Sequence, residues 1–279
     1  MLPRLMVRED EEVSDYIRQR FEAEGVNVLC NHRAIEFLRQ EGQSSLVCEH
    51  QGARVEIAFD QVLVAVGRAA RLEGYGLREL EIPISERRTI EVNDHLQAAY
   101  PSVYACGDIA GPYQFTHTAS HQAWYAAVNA LFGKFRKFKV DYRVIPWATF
   151  TDPEVARVGL NRSEAEARGI PYESTRYPLD DLDRAIAEGE DQGWIEVLTP
   201  PGKDRILGAT IVGAHAGDLI AEFVLAMRHG LGLNKILSTI HVYPSRMEAV
   251  KFTAGNWKKA QVKPWQKRWL RRFHAWQRR

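Results

Sequence analysis

Two short apolar runs in this chain each stop at a glycine that is followed by a charged residue. Residues 62–67 read VLVAVG and precede Arg68, while residues 103–106 read VYAC and precede Gly107 and Asp108. Continuous apolar runs predict strands that are buried on both faces, and a glycine at the end of such a strand predicts a close approach to its backbone. These two runs therefore restrict the chain to folds with a buried sheet.

The second run is followed by a loop, AGPYQF, and then by a helical pattern that ends at Gly133. In open α/β sheets a ligand lies at the carboxyl ends of the strands, where a carboxylate such as Asp108 can bond a ribose or ribitol hydroxyl. An acid in this place also caps turns, and the residues alone leave both roles open. The predicted helix has a face of small residues, namely Ala119, Ala123, Ala126, Ala127, Ala130 and Leu131.

Another helix is predicted near the N-terminus. Val13, Ile17 and Phe21 repeat at the spacing of one helical face, acids crowd the first turn, and Gly25 stands where a helix ends. The β-rich runs VNVL, AIEFL, SLVCEH and RVEIAF follow and lead into the VLVAVG run. The first part of the chain is thus predicted to be a helix that precedes a β-rich region.

The pattern changes from about Ile145. WATFTDPEVARVG predicts a strand and a turn, and the next helix is expected to begin with a capping box, Ser163-x-x-Glu166, and to stop at Gly169. The predicted strands GWIEVLT and RILGATIVG and the amphipathic helix AGDLIAEFVLAMRHG come next. Hairpin strands with helices on one face predict an α+β layout, which differs from the α/β pattern before it, and we place the boundary near residue 143.

Composition narrows the class of protein. The 279 residues are 45% hydrophobic and 26% charged, which is typical of a globular chain with room for two domains. No run approaches the roughly 18 apolar residues of a membrane-spanning helix, and MLPRLMVREDEE is unlike a signal peptide, so the predicted location is the cytoplasm. Cys30, Cys48 and Cys106 form no CxxC motif, and we expect buried free thiols and no metal site.

Charge is divided unevenly along the chain. Residues 249–279 hold ten Lys or Arg and no acid, whereas the rest holds 27 basic and 36 acidic residues. Such a division predicts that the tail binds an acidic surface, its own body included, or an anionic partner.

An aromatic stripe accompanies this charge. Trp265, Trp269, Phe273 and Trp276 share one face of a helix that Pro264 can begin. The stripe fits an interfacial helix that makes a peripheral membrane contact through 264–279, and it fits equally a helix packed on the acidic body. No nucleic-acid-binding motif accompanies the charge, so no nucleic acid partner is expected.

Five motifs carry a resemblance to a known family. They are VLVAVGR, TIEVNDHLQAAYPSVYACGD, TDPEVARVGL, ILGATIVGAHAGDLIAEFVLAM and HVYPSRMEAVK. In order and spacing they are similar to the C-terminal part of the pyridine nucleotide-disulfide oxidoreductases, flavoproteins that include dihydrolipoamide dehydrogenase and mercuric reductase. The similarity extends from Leu5 to about Lys251.

The resemblance implies a role for the Gly-Asp pair. In the family the aspartate of this motif bonds FAD, the glycine before it lets the chain pass the flavin, and the next helix points its first backbone amides at the cofactor. Carried over, these are Asp108, Gly107 and the Thr116–His117 turn. Gly67 resembles the second strand end packed beside FAD.

The resemblance also implies a division of the chain. Residues 1–68 resemble part of an NAD(P)-binding domain, 69–143 the C-terminal segment of an FAD-binding domain and 144–255 a dimerisation domain, with 256–279 as a basic tail. The expected fold class is α/β and α+β: a partial nucleotide-binding domain followed by an α+β interface domain with an antiparallel sheet. The family's two GxGxxG loops and its redox-active CxxxxC do not occur among these residues, so the chain resembles a flavoenzyme split or truncated upstream.

Two functions follow from the resemblance. The first is the C-terminal part of an FAD-dependent NAD(P)H oxidoreductase that passes electrons to a small-molecule acceptor such as a disulfide, a metal ion or a quinone. The second is a non-enzymatic dimerisation module. Both imply a homodimer through residues 144–255, and the chain alone is expected to hold an incomplete FAD site and to be inactive.

The last motif, HVYPSRMEA, departs from the family. Several members have a histidine before the proline, which acts as a general base and is oriented by a glutamate; here Tyr243 precedes Pro244, and Glu248 matches the glutamate. Tyrosine can donate a hydrogen bond but is a poor base near pH 7. His241 is the local substitute, unless it is a hydrogen-bonded structural residue. The resemblance also predicts a cis Tyr243–Pro244 bond.

Overall fold

A computed structural model describes residues 2–278, so the domain bounds predicted at Met1 and Arg279 each extend one residue beyond the described range. The chain forms two compact units. The first contains the described residues up to Gln61 together with those from Pro146, and the second is Val62–Ile145. The four-part division by family domains remains a prediction, because a compact unit is not a family domain.

A five-stranded antiparallel sheet organises the first unit and confirms the predicted antiparallel interface sheet. Its strand order is β4-β5-β8-β7-β6. The strands are β4 (Pro146–Thr149), β5 (Val155–Gly159), β6 (Glu173–Pro178), β7 (Trp194–Thr199) and β8 (Gly208–Val212). Every residue of β7 and β8 is buried.

Helices cover both faces of this sheet. On one face α1 (Glu11–Ala23) places Val13 and Ile17 against Val155, Trp194 and Val212. Residues at alternate positions point to the other face, where α5 (Ala216–Arg228) packs on β4, β5 and β8, and α7 (Glu248–Ala260) packs on β6 and β7. The prediction of helices on one face was therefore wrong, because the N-terminal helix supplies the second layer.

An acidic segment before α1 joins this second layer to the sheet. Arg157, only 1% exposed, has its Nε 2.9 Å from Glu9 Oε2 without the alignment of a hydrogen bond, and its guanidinium lies 4.3 Å from the centre of the Trp147 ring. Glu164 Oε1 accepts a hydrogen bond from Arg157 Nη2 at 3.0 Å. Burial raises the pKa of Glu9, and the charge of Arg157 opposes that rise only in part.

Two further acids, Asp10 and Glu12, bind basic side chains and a helix end. Asp10 accepts hydrogen bonds from the backbone and hydroxyl of Ser163, at 2.9 and 2.6 Å. Burial favours a higher pKa for Asp10, but the bonds from Ser163 and Arg162 outweigh it and lower the pKa. Hydrogen bonds from Arg176 and then Arg162 lower the pKa of Glu12 to about 2. We call residues 8–12 with these partners the acidic clamp.

The helix that Asp10 contacts begins differently from the prediction. It is α3 (Arg162–Ala167), and its N-cap is Asn161, whose Oδ1 accepts a hydrogen bond from the Glu164 backbone at 2.9 Å. The predicted capping box at Ser163 was wrong, because the Ser163 hydroxyl is used by Asp10. Gly169 has a positive φ of 61° at the end of this helix, as expected of a helix stop.

A second, smaller antiparallel sheet lies in the first unit. It has the order β1-β2-β3, with β1 (Arg33–Gln40), β2 (Gln43–His50) and β3 (Ala53–Phe59). Three of the four predicted β-rich runs form these strands, whereas VNVL at 26–29 forms none. The remaining helices of the unit are α4 (Asp183–Glu188), α6 (Leu233–Ser238) and α8 (Pro264–Gln277).

The second unit lacks the strands that its apolar runs predict. Residues 62–67 have no regular secondary structure, and Leu63 and Val66 are 91% and 92% exposed. VYAC contributes one isolated bridge, between Tyr104 and Gln97. The prediction of two buried strands was wrong for this structure, because a strand of a buried sheet requires neighbours on both sides and these residues have none among those described.

One helix dominates this unit. It is α2 (Thr116–Phe132), which is preceded by a 3-10 turn, Gly107–Ile109. Its buried residues are Thr118, Gln122, Ala126 and Asn129. The predicted helix is present, but most of its small-residue face is exposed, namely Ala123, Ala127, Ala130 and Leu131. Leu77, Ile82, Ile90, Ala105 and Ala110 form a separate small core.

The cysteines and metal ligands can be described for residues 2–278. All three cysteines are free thiols; Cys48 is buried, whereas Cys30 and Cys106 are half-buried, so the expectation of burial was wrong for these two. No group of three or more His, Cys, Asp or Glu side chains in this range could hold a metal ion. None of its helices is both long and apolar enough to cross a membrane.

Candidate functional site

The Gly-Asp pair lies in the 3-10 turn just before α2. Gly107 is buried with a φ of 79°, and a Cβ at this position would stand 3.3 Å from the Ala119 Cβ. The left-handed backbone and this close approach to α2 both favour glycine. Asp108 is half-buried and follows directly, while Thr116 and His117 are exposed at the start of α2.

Gln122 holds this turn in place. Its Oε1 accepts a hydrogen bond from the Gly107 backbone at 2.5 Å, and its Nε2 donates to the Gly111 carbonyl at 2.9 Å and to Tyr142 Oη at 2.7 Å. The side chain is fully buried. Two of these three hydrogen bonds join Gln122 to the segment that carries Asp108, so the position of the aspartate is fixed relative to α2.

The first turn of α2 contains one buried hydroxyl without a partner among the described residues. Thr118 Oγ1 is buried and has no hydrogen-bond partner. A buried hydroxyl is normally paired, and helix N-terminal amides attract anionic groups. The Gly107–Asp108 turn thus lies against the helix whose first turn holds this hydroxyl, a group that a bound cofactor can satisfy.

Gly67 is not brought to this cluster by a sheet. It lies in the exposed segment 62–67 with a φ of 127°, and apart from its chain neighbours no described atom lies within 4 Å of the place of a Cβ. The predicted strand end is absent here and Gly67 has no defined contact, while the roles of Asp108 and Gly67 in binding FAD stay predictions.

Tyr243 stands on the surface of the first unit. The Tyr243–Pro244 bond is cis, which confirms the prediction. The phenol is 67% exposed and donates a hydrogen bond to Asp183 Oδ2 at 3.0 Å. This bond, and the negative charge of Asp183, raise the pKa of Tyr243. The side chain is therefore a hydrogen-bond donor across the neutral pH range, as the residue type predicts.

Glu248 lies at the start of α7 and is buried. Its Oε2 accepts a hydrogen bond from the Ser245 backbone at 3.4 Å, so it closes the turn that follows Pro244. The carboxylate that holds the Tyr243 hydroxyl is Asp183 and not the predicted Glu248. Both acids and Tyr243 line a cavity of about 450 Å³ that also contains Lys251 and Lys259.

His241 is held inside its own subunit. Its Nε2 lies 3.0 Å from both oxygens of Glu222, and its Nδ1 lies 3.1 Å from the Thr239 carbonyl. The side chain is only 5% exposed. With oxygen acceptors at both ring nitrogens, His241 matches the alternative of a hydrogen-bonded structural histidine.

An exposed apolar surface surrounds this segment. Ile240 and Val242 flank His241, whose partner Glu222 lies on α5, and Leu225 lies one turn further along that helix. Phe150 is exposed beside the start of α5, where its ring would stand 3.4 Å from a Cβ at Gly217. These four apolar side chains are all more than half exposed. We call Phe150, Leu225, Ile240 and Val242 the α5 surface.

Sequence reasoning missed the polar residues that support the site. Thr118, Gln122 and Asn129 recur at the spacing of one helical face, and this stripe was the available signal. Small residues in the same helix drew attention to the opposite face. Asp183 and Glu222 gave no signal, since their partners lie 60 and 19 residues away.

Comparison with known proteins places these features in a family. Residues 1–123 match the family described as pyridine nucleotide-disulphide oxidoreductase, and residues 145–254 match the dimerisation domain of that family. Among curated proteins, the dihydrolipoyl dehydrogenase of Chlamydia muridarum is 37% identical over 221 residues, and that of Thermus scotoductus is 36% identical over 251 residues. These alignments cover 77% and 89% of this chain but 46% and 54% of the relatives. The chain therefore spans about half the length of these relatives.

Solved structures share the fold. The HOCl-induced flavoprotein disulfide reductase RclA from Escherichia coli superposes with a TM-score of 0.82 at 23% identity, covering 91% of this chain and 57% of that one. LpdA from Mycobacterium tuberculosis gives a TM-score of 0.79 at 23% identity, and the match covers 88% of this chain and 53% of LpdA. The fold is thus that of the flavoprotein disulfide reductases. The chain belongs to the pyridine nucleotide-disulphide oxidoreductase family, as the sequence motifs indicated.

Proposed function

We propose that the chain supplies the C-terminal part of an FAD-dependent NAD(P)H oxidoreductase that reduces a small-molecule acceptor. The observation that carries this proposal is the junction of the Gly107–Asp108 turn with α2, where Gln122 fixes the turn and Thr118 Oγ1 is buried without a partner. FAD, when bound, accepts a hydride from NAD(P)H and passes electrons on.

The residues of this junction would have different roles in binding FAD. The Asp108 carboxylate would accept hydrogen bonds from sugar hydroxyls, and Gly107 keeps the turn close against α2. The first amides of α2, at Thr116 and His117, would face the flavin with the positive end of the helix dipole. Because residues 62–67 form no strand, the site in this chain alone is incomplete.

Flavin titration tests the proposal. The purified chain is expected to contain well under one FAD per chain and to bind added FAD weakly and saturably, as measured by quenching of flavin fluorescence. Asp108→Asn should weaken this binding about tenfold or more, since hydrogen bonds to a charged group contribute roughly 1.5–3 kcal/mol. The matched control is Asp94→Asn, because Asp94 is an exposed acid of the same unit whose side chain pairs with Lys139.

Two outcomes contradict this role. Unchanged FAD affinity in Asp108→Asn would reduce Asp108 to a turn cap, and no flavin binding at millimolar FAD would favour the non-enzymatic module. A chain purified with one FAD per chain would show that the site is complete without further residues.

The dimerisation module is a second candidate that a separate observation favours. The α5 surface exposes four large apolar side chains within the region that matches the dimerisation domain. Exposed apolar patches on soluble proteins mark interaction sites, and a second copy of this chain is the proposed partner. Self-association would operate with or without a complete flavin site.

Light scattering at micromolar concentration tests self-association. The chain should be a dimer, and Ile240→Lys with Val242→Lys should produce monomers. Ile35→Lys is the matched control, because Ile35 is an exposed isoleucine on β1, away from the α5 surface. A monomeric parent, or a double variant that stays dimeric, would contradict the proposal.

Tyr243 is proposed to act on the acceptor as a hydrogen-bond donor and not as a base. Its exposed phenol and raised pKa support this role. In the complete enzyme, Tyr243→Phe should lower turnover with the acceptor several-fold while NAD(P)H-driven reduction of the flavin stays normal. Equal loss of both rates would indicate a general structural defect, and unchanged turnover would make Tyr243 a packing residue.

A further inference from the structure

The C-terminal helix α8 is exposed along its whole length. None of its residues is buried, and Trp265, Trp269 and Trp276 are 57%, 59% and 71% exposed. Among residues 2–278, the side chains of α8 make no ion pair and no hydrogen bond to another part of the chain except to the adjacent N-cap residue Lys263, although the body carries an excess of acids. The expectation that this helix packs on the acidic body was therefore wrong.

Aromatic side chains form one face of α8. At about 100° per residue, Trp265, Trp269, Phe273 and Trp276 fall within an arc of about 80°. The rings of Trp269 and Phe273 stack with centroids 5.4 Å apart, and Phe273 lies 6.2 Å from Trp276. The result is a continuous aromatic strip that is exposed to solvent.

Basic side chains occupy the rest of the helix. Lys267, Arg271 and Arg278 lie opposite the aromatic strip, while Arg268 and Arg272 lie beside it, and the helix contains no acid. Nucleic acids would require cations and rings on the same side, since bases stack while phosphates bind alongside. Separation of the two onto different faces instead suits a flat boundary between an apolar and an anionic layer.

We propose that α8 binds the surface of an anionic lipid bilayer and lies parallel to it. The tryptophan rings would enter the region below the headgroups, where indoles are stable because one side is apolar and the N–H stays hydrated. The basic residues at the sides of the strip would lie near the lipid phosphates, each contributing roughly 1 kcal/mol. In the cytoplasm this surface is the anionic inner leaflet of a membrane, and the rest of the protein would be a peripheral protein attached to it.

Vesicle binding of the full chain tests the proposal. Vesicles of phosphatidylcholine with about 30% phosphatidylglycerol should sediment the protein at low salt, and pure phosphatidylcholine vesicles should not. Raising the salt to about 0.5 M should weaken binding, because the screening length falls. The emission of the exposed tryptophans should shift to the blue, and three of the four that are more than half exposed lie in α8.

Two sets of substitutions locate the binding. Neutralising Lys267, Arg268, Arg271 and Arg272 to Gln should lower vesicle affinity about tenfold or more, and Trp265→Ser with Trp269→Ser should remove the emission shift. The matched control neutralises the four basic residues of 134–139, namely Lys134, Arg136, Lys137 and Lys139, and should change affinity less than about twofold. All substituted side chains of α8 are exposed, so the circular dichroism spectrum should stay that of the parent.

Several outcomes would overturn the proposal. Equal binding to neutral and anionic vesicles, or unchanged affinity in the α8 variants, would each contradict it. Binding of single-stranded nucleic acid without vesicle binding would assign the helix to nucleic acid instead. Loss of a higher oligomer in Trp265→Ser with Trp269→Ser, without vesicle binding by the parent, would assign the aromatic strip to a second copy of the chain.

Discussion

The interface sheet and the segment 62–67 both contain largely apolar runs, but the two runs have opposite outcomes. All eleven residues of β7 and β8 are buried, whereas the VLVAVG run lies in solvent without regular structure. β7 and β8 pair with each other and with β6 and β5, and all four strands occur between residues 155 and 212. An apolar run thus forms a buried strand where the chain also contains the strands that pair with it. Where those strands are absent among the described residues, the run stays exposed.

Helical cover shows the same difference. The interface sheet receives α5 and α7 on one face and α1 on the other, so charged residues such as Arg157 are enclosed with partners. In the second unit α2 buries a polar stripe around Gln122 and leaves its small residues exposed. Apolar surface in that unit is therefore available for a further layer.

Truncation of one large side chain in each region tests whether the two regions differ in this way. Phe223→Ala removes a fully buried ring between α5 and the sheet and should lower the free energy of unfolding by about 3–5 kcal/mol. Leu63→Ala removes an exposed side chain and should change it by less than about 0.5 kcal/mol. Urea denaturation followed by circular dichroism measures both, and a similar cost for the two would refute the comparison.

The acidic clamp should contribute less to the free energy of unfolding than the core does, but far more than a surface ion pair. Arg157→Met leaves Glu9 buried without its cation and should cost about 3 kcal/mol. Arg143→Met, which removes an exposed partner of Asp141, should cost less than about 0.5 kcal/mol. The pair of substitutions Glu9→Gln and Arg157→Met should cost less than the sum of the single ones, and strict additivity would show that the two residues are not coupled.

Acid should weaken the clamp in a defined pH range. The folded-state pKa of Glu12 is about 2, below its ordinary value of 4.5, so its stabilising contribution is complete above about pH 4.5 and is lost as the pH falls toward 2. Asp10, whose pKa is also lowered, changes in the same direction. Urea denaturation at pH 6, 4 and 3 should therefore show a smaller loss of stability on acidification in Glu12→Gln than in the parent. Glu11→Gln is the control, and equal pH profiles for all three proteins would contradict the assignment.

The smallest expected effect concerns the exposed hydrogen bond between Tyr243 and Asp183. Asp183→Asn removes the negative charge that accepts the Tyr243 hydrogen bond, so the pKa of Tyr243 should fall toward its ordinary value of 10.0. The ultraviolet titration of the parent minus that of Tyr243→Phe isolates this tyrosine from the other nine. The same difference curve in the Asp183→Asn background should move to lower pH, and an unmoved curve would show that Asp183 does not control the phenol.

Sequence patterns predicted the helices and strands whose formation depends on contacts between nearby residues. Val13 and Ile17 lie on the buried face of α1, and the strands GWIEVLT and RILGATIVG fold nearly as their patterns indicate. The start of α2 after the loop was also predicted, because a helix start leaves signals in a few residues, whereas the strand predicted before Gly107 is only an isolated bridge. Non-local partners were not predictable in this way: α1 covers a sheet more than 130 residues away, and Asn161 replaces Ser163 as a cap because Asp10 takes the serine.

The candidate site follows the same rule. Asp108, Gly107 and Tyr243 came from motifs, whereas Gln122 and Asp183 act on residues that the sequence alone does not place beside them. The predicted strand at 62–67 failed because burial of a strand depends on the layers around it and not on its composition alone.

The acidic clamp affects which part of this protein can fold as a separate unit. The family's dimerisation domain matches residues 145–254, but a piece excised at residue 145 would lose Glu9, Asp10 and Glu12 together with α1. One face of its sheet would then meet water at Val155 and Val212, and Arg157 would lose the acid closest to it. The boundary drawn by sequence similarity and the boundary of autonomous folding therefore differ, and the smallest piece that keeps both faces of the sheet covered includes the segment that begins near Leu5.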